Sequence, residues 1–222
     1  MDIIKQVGKY SLMITCVICL MHQLAMGQQR RHKRAAGGKE YRLPQLRLFL
    51  KEAAEAGIEF AFPPILKEVP AVNNENFSFD YAMRMPGQGF AIWLQVHSLK
   101  QNWASYEQVK SITGKMLTNP DSTYVNTIKA HALALSDDDR YTFRSLSPQV
   151  LQAYNADAGK TCMLNLADLP ETKGFKYALI IALQKNHAGY ILAVCLTNDK
   201  GPDFFRNINK VRECIKFRPG KG

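Results

Sequence analysis

The sequence predicts an α+β layered sandwich, a mainly antiparallel sheet with helices packed on it. Two pairs of strand-like runs are each joined by a loop of four or five residues, which makes the members of each pair antiparallel neighbours. Both runs of the second pair, YALIIALQ and YILAVCLT, are apolar throughout, the mark of central strands covered on both faces. Helical segments alternate with these runs, and neither an internal repeat nor a second domain boundary interrupts them. A chain of 222 residues, 46% hydrophobic and 10% aromatic, is enough to build one sizeable core.

The first helix is predicted over Tyr41 to Gly57, where Leu43, Leu46, Leu50 and Ala53 or Ala54 fall at helical spacing, Pro44 stands in the first turn and Gly57 is the stop. Ile58 to Phe62 reads as a strand closed by Pro63-Pro64. In FSFDYAMRM the residues Phe77, Phe79, Tyr81, Met83 and Met85 alternate, as do Phe90, Ile92, Leu94 and Val96 in FAIWLQV. A hairpin through PGQG pairs Met85 with Phe90 and Phe79 with Val96, which puts both apolar stripes on one side.

Two helical segments follow, near Trp103 to Leu117 and Asp121 to Leu135, the second with Asn119 as cap and Pro120 at its first position. After the turn Ser136 to Asp139, RYTFRSL reads as a strand, SPQVLQAYNA as a short helix capped by Ser147, and TCMLNL as a strand. The apolar hairpin turns around Lys185 to Gly189. Pro202 opens a last helix, DFFRNINKVRE, before the short strand CIKF.

The N-terminus has the layout of a secretory signal peptide over residues 1–27: Lys5 and Lys9, the apolar run SLMITCVICLMHQLA, and small residues at Ala25 and Gly27. The run is shorter than the roughly 20 residues a bilayer requires, and no lipobox leads into Cys16 or Cys19, so soluble export to the periplasm or beyond is the expectation. Residues 28–40 form a basic tail with Arg30, Arg31, Lys33 and Arg34, residues 41–218 one α+β domain, and residues 219–222 a basic end. The formal net charge of +10 favours acidic partners or an anionic membrane surface. The basic tail reads either as a solvated arm or as a polyanion-binding segment. With no helix-turn-helix or aromatic single-strand motif, nucleic acid is not an expected partner.

Catalytic motifs are incomplete. The GKT at Gly159 to Thr161 lacks the Gly a phosphate loop needs five residues earlier, where Tyr154 stands, and a helix precedes it while a strand follows. Gly159 reads instead as a turn glycine after a helix. Cleavage after residue 27 leaves Cys162, Cys195 and Cys214, an odd number that leaves open one disulfide with one free thiol, or three buried unpaired thiols. None shows metal-ligand spacing, no nucleophile elbow is present, and neither a metal nor another cofactor is expected. His131 and His187 read as structural, Asp137 to Asp139 as a polar turn, and Glu52, Glu55, Glu59, Glu68 and Glu75 as scattered.

The polar face of the first hairpin holds the ligand-binding candidates: Asp80 opposite Gln95, Ser78 opposite His97, and Trp93 with Arg84 beside it. The competing reading covers Trp93 with a helix. Two segments, GIEFAFPPILKEVP and FFRNINKVRECIKF, resemble the Mog1/PsbP-like superfamily, whose exported branches include DcrB-type envelope proteins; the chain is also similar in outline to small exported Bacteroidetes proteins. That resemblance implies an α/β/α sandwich with a binding or accessory role and brings no catalytic set with it. The expectation is a non-catalytic exported envelope protein that binds a protein partner or an apolar or acidic ligand. The alternatives are a Cys-dependent hydrolase and a polyanion binder.

Overall fold

In a computed structural model the residues described are 44–113, 117–138, 140–172 and 174–219. The expected signal peptide over residues 1–27, the basic segment with Arg30, Arg31, Lys33 and Arg34, and the last three residues lie outside them. The elements run α1 (Pro44–Glu55), β1 (Ile58–Phe60), β2 (Lys67–Val69), β3 (Tyr81–Arg84), β4 (Phe90–Ser98), α2 (Lys100–Thr113), α3 (Thr123–Leu135), β5 (Arg144–Ser145), α4 (Pro148–Ala153), β6 (Ala158–Asn165), β7 (Tyr177–Lys185), β8 (Gly189–Thr197), α5 (Pro202–Val211) and β9 (Ile215–Phe217). The helix caps read from the sequence form: Ser147 accepts from the Val150 N–H, and Asn119 accepts from the Asp121 N–H at the head of a 3-10 turn that leads into α3.

Seven strands form one antiparallel sheet in the order β2-β3-β4-β8-β7-β6-β5, and β1 pairs with β9 in a separate two-stranded ribbon. The fold is α+β, as predicted. β8 lies at the middle, between β4 and β7, and all nine of its residues are buried. β7 is less enclosed than its apolar run suggests. Ala178, Ile180 and Ala182 are buried on one face, while Tyr177, Leu179 and Ile181 on the other are half-buried.

The sheet carries a core on each face. One joins Leu46, Phe49 and Ala53 of α1, the β1/β9 ribbon and Phe204 and Val211 of α5 to Tyr81, Met83, Ile92, Leu94 and Cys195. The other packs Tyr124, Ile128, Ala132 and Leu135 of α3 on Ala82, Trp93, Ile180, Leu192 and Val194. α1 therefore buries Phe49 rather than Leu50, which is 41% exposed. Phe49 is chosen because it stacks on Tyr81 with ring centroids 5.0 Å apart and meets Phe60 edge-on at 5.0 Å.

The first hairpin has the predicted register from Met85 to Tyr81: Met83 opposes Ile92 and Ala82 opposes Trp93. It then departs from the prediction. The Asp80 N–H donates to the Leu94 carbonyl at 2.9 Å, although Tyr81 already opposes Leu94, so two residues face one in a β-bulge. A bulge exchanges the faces of everything before it, and Phe77 and Phe79 join the Trp93 core instead of the Tyr81 core.

Other elements differ from the sequence reading as well. Lys67–Val69 is a strand on the sheet edge where none is predicted, held by Gln45, whose Nε2 donates to the Val69 carbonyl while its Oε1 accepts from the Ala71 N–H. RYTFRSL supplies only the two residues of β5. Gly159 is not a turn glycine but lies inside β6, where a Cβ would stand 2.7 Å from Leu146 Cδ1 and 2.9 Å from the Ala182 carbonyl oxygen. The post-helix turn is made by Asn155, at φ 52°. Lys160 and Thr161 accordingly sit in a strand, and no phosphate loop forms around them.

Candidate functional site

α1 and Asp80, the residue before β3, together build one wall of a cleft of about 610 Å³ at the end of β4. Seating Phe49 on Tyr81 puts Glu52, one helical turn further along α1, next to Asp80, the neighbour of Tyr81 in the chain. Glu55 follows at the next i,i+3 position. Gln95, Val96, His97 and Ser98 supply the floor, and Lys100 and Gln101, at the start of α2, the far side. Ser98 joins the two helices: its hydroxyl donates to the Glu55 carbonyl at 3.4 Å and accepts from the Lys100 N–H at 3.5 Å.

Beyond Leu94 the β4 edge has lost its neighbour strand, because β3 ends in the bulge. Asp80 fills part of the gap: its Oδ2 accepts from the Val96 N–H at 2.7 Å, in the place a strand carbonyl would occupy. Gln95 donates from Nε2 to the Ser78 carbonyl at 2.9 Å and holds the departing segment. Burial raises the Asp80 carboxyl from 3.8 to about 6, the Val96 N–H opposes that shift, and the negative charge of Glu52 adds to it. The His97 ring lies 5.3 Å from that of Tyr190, whose hydroxyl burial also shifts upward.

Asp80, Gln95 and His97 are thus brought together, although Asp80 bonds to Leu94 and Val96 instead of standing opposite Gln95, and Ser78 bridges to Asn73 and accepts from Gln95 instead of standing opposite His97. The other two candidates, Trp93 and Arg84, are elsewhere. Trp93 is 3% exposed, stacked on Phe77 at 6.3 Å and tilted against Phe79 at 5.1 Å under α3, so it belongs to the core and offers no recognition surface. Arg84 lies at the opposite end of β3, in a second groove with Lys67 and the Met85 to Gly89 turn, its guanidinium 5.6 Å from the Phe175 ring.

Sequence reasoning missed Glu52, Glu55 and Lys100. The i,i+3 spacing of the two glutamates was the available signal, but only the packing of Phe49 shows which strand they face.

The remaining titratable groups have structural surroundings. Cys162, Cys195 and Cys214 are all buried free thiols, and burial pushes each up to about 12. At neutral pH they are protonated and poor nucleophiles. Nδ1 of His131 pairs with the Thr127 carbonyl at 3.0 Å and its ring meets Phe79, while His187, at φ 59°, stacks on Trp103 with centroids 3.8 Å apart. Among the described residues no group of three His, Cys, Asp or Glu is placed to hold a metal ion, and no helix is long and apolar enough to cross a membrane. Neither a protein-family model nor a curated protein matches the chain.

Proposed function

We propose that this is a non-catalytic, exported envelope protein, built as an α/β/α sandwich of the Mog1/PsbP-like kind, whose β4 cleft binds the ammonium or guanidinium group of its ligand. The observation that carries the reading is the convergence of Glu52, Glu55 and Asp80 on one cleft. Three carboxyl groups on one cleft give it a negative local field, which draws a cation. The lining therefore favours a cationic ligand over the apolar or acidic one of the initial expectation. Lys100 on the far wall offsets one negative charge and orients the ligand toward α1. The three protonated, buried thiols give no support to the hydrolase alternative, and the basic residues of the tail lie outside the described structure.

A cation beside Asp80 stabilises its ionised form, so binding strengthens as pH rises through about 6. The test is a titration of the protein with cadaverine, Nα-acetyl-lysine N-methylamide and, as the acidic control, Nα-acetyl-glutamate N-methylamide, followed by backbone amide shifts. Shifts at Gln95 to Lys100 with the two amines alone, weakened by salt and by Glu52→Gln with Glu55→Gln, are the expected result. An undisturbed β4 edge at millimolar amine overturns the cation reading. Export is tested by expressing the full chain with its own leader; a soluble periplasmic product beginning near Gln28 supports it, and a membrane-bound product retaining Met1 does not.

A further inference from the structure

The last three residues of β4 form an open sheet edge inside the cleft. Leu99 donates its N–H to the Ala188 carbonyl, so by the alternation of an antiparallel ladder His97 and Gln95 exchange bonds with β8, while Leu94, Val96 and Ser98 point their backbone groups the other way. Asp80 takes up the Leu94 carbonyl and the Val96 N–H. The Val96 carbonyl and the Ser98 N–H come next along the same edge, both residues line the cleft, and among the described residues neither group has a hydrogen-bond partner.

We infer that this edge takes up an extended, lysine- or arginine-bearing segment of a partner protein as an added strand, with the basic side chain turned toward Glu52, Glu55 and Asp80. One residue of a segment running parallel to β4 and lying beside His97 satisfies both groups, its N–H donating to the Val96 carbonyl and its C=O accepting from the Ser98 N–H. The bulge at Asp80 ends the edge on one side, so it sets the register of the incoming strand. The charge of the lining selects a basic segment over an acidic one. This inference rests on the cation reading of the cleft and adds to it the backbone of the ligand.

The two are separated by comparing Nα-acetyl-lysine N-methylamide with the capped pentapeptide acetyl-Thr-Val-Lys-Val-Thr-amide, and with that peptide N-methylated at its three central residues. The pentapeptide should bind about tenfold more tightly than the single residue, N-methylation should abolish the gain, and the Ser98 amide should move as a newly bonded N–H does. If the lysine derivative binds and the pentapeptide is no tighter, or if N-methylation changes nothing, strand addition is wrong and the cation reading stands. If neither the lysine derivative nor the peptide binds, both fall. The ligands carry the modification, so the comparison is made on the unaltered full chain.

Discussion

The Asp80 carboxylate occupies the position of a missing strand, accepting the Val96 N–H at 2.7 Å where β3 bulges away from β4. One side chain thereby ends the pairing of the first hairpin, covers one of the backbone groups it leaves open, and supplies a carboxylate to the cleft. It does so at a cost, because the carboxylate is only partly solvated and has Glu52 beside it.

That cost has a pH signature. Folding raises the Asp80 carboxyl from 3.8 to about 6, so in that interval the folded state holds more protons than the unfolded one and stability falls as pH rises. The favourable contribution is complete below 3.8 and lost above about 6. Asp138 and Glu171, whose carboxyls are held low chiefly by hydrogen bonds, act in the opposite sense. The measurement is accordingly a difference: Asp80→Asn, which keeps an acceptor for Val96, should gain stability relative to the parent between pH 4 and 7 in urea unfolding. A difference independent of pH would show that Asp80 titrates as an ordinary surface carboxyl.

Gly189 should tolerate no side chain. A Cβ there would stand 2.2 Å from the His97 carbonyl oxygen and 3.1 Å from Ala56 Cβ, so Gly189→Ala pushes β8 off β4 at the floor of the cleft. A loss of about 1–3 kcal/mol or more is expected from overpacking against backbone. Gly87→Ala is the control; its strain comes from φ of 69° alone, in open space, and its loss should be smaller. Equal midpoints for Gly189→Ala and the parent would refute the close approach.

The central strands differ in their tolerance of charge. Val194 and Ile180 are fully buried, and Val194→Asp or Ile180→Asp should cost several kcal/mol, about the whole stability of a domain. Ile181 lies on the half-buried face of β7, and Ile181→Asp should be milder because its carboxylate can reach water. Chemical denaturation of the three variants should place Ile181→Asp well above the other two; the reverse order would mean that another layer covers that face.

Asp121 holds the turn of the β7-β8 hairpin to α2, accepting from Trp103 Nε1 at 2.9 Å and from the His187 N–H at 3.1 Å. Asp121→Ala leaves both donors without this acceptor and should cost about 1–3 kcal/mol, with a shift in Trp103 fluorescence. Asp121→Asn retains the acceptor and should cost less. An unchanged emission spectrum in Asp121→Ala would show that the Trp103–His187 stack stands without the carboxylate.

Thiol titration gives a further check on the core. Burial keeps Cys162, Cys195 and Cys214 unreactive, so a disulfide reagent should label none of them in the native protein at pH 8 and all three in denaturant. Fast labelling of one thiol in the native state would reopen nucleophilic chemistry at that position.

Local patterns in the sequence determined the α+β class, the two hairpins, the helix caps at Asn119 and Ser147 and the register of β3 on β4, because each depends on residues close in the chain. They also singled out Asp80, Gln95 and His97 as one polar face of a hairpin; the three do meet, but at the β4 edge, where the bulge takes Asp80 out of the regular ladder. Tertiary structure alone decided the rest. Phe77 and Phe79 change faces because the bulge at Asp80 inserts one residue, and no alternation pattern distinguishes that from a continuous strand. Leu50 and Phe49 are equally apolar, and only the Tyr81 ring settles which of them turns inward; that rotation carries Glu52 and Glu55 to the cleft. Trp93 lost its place at the site for the same reason: α3 covers it, and a covering layer is a contact between segments far apart in the chain, where period and propensity carry no information.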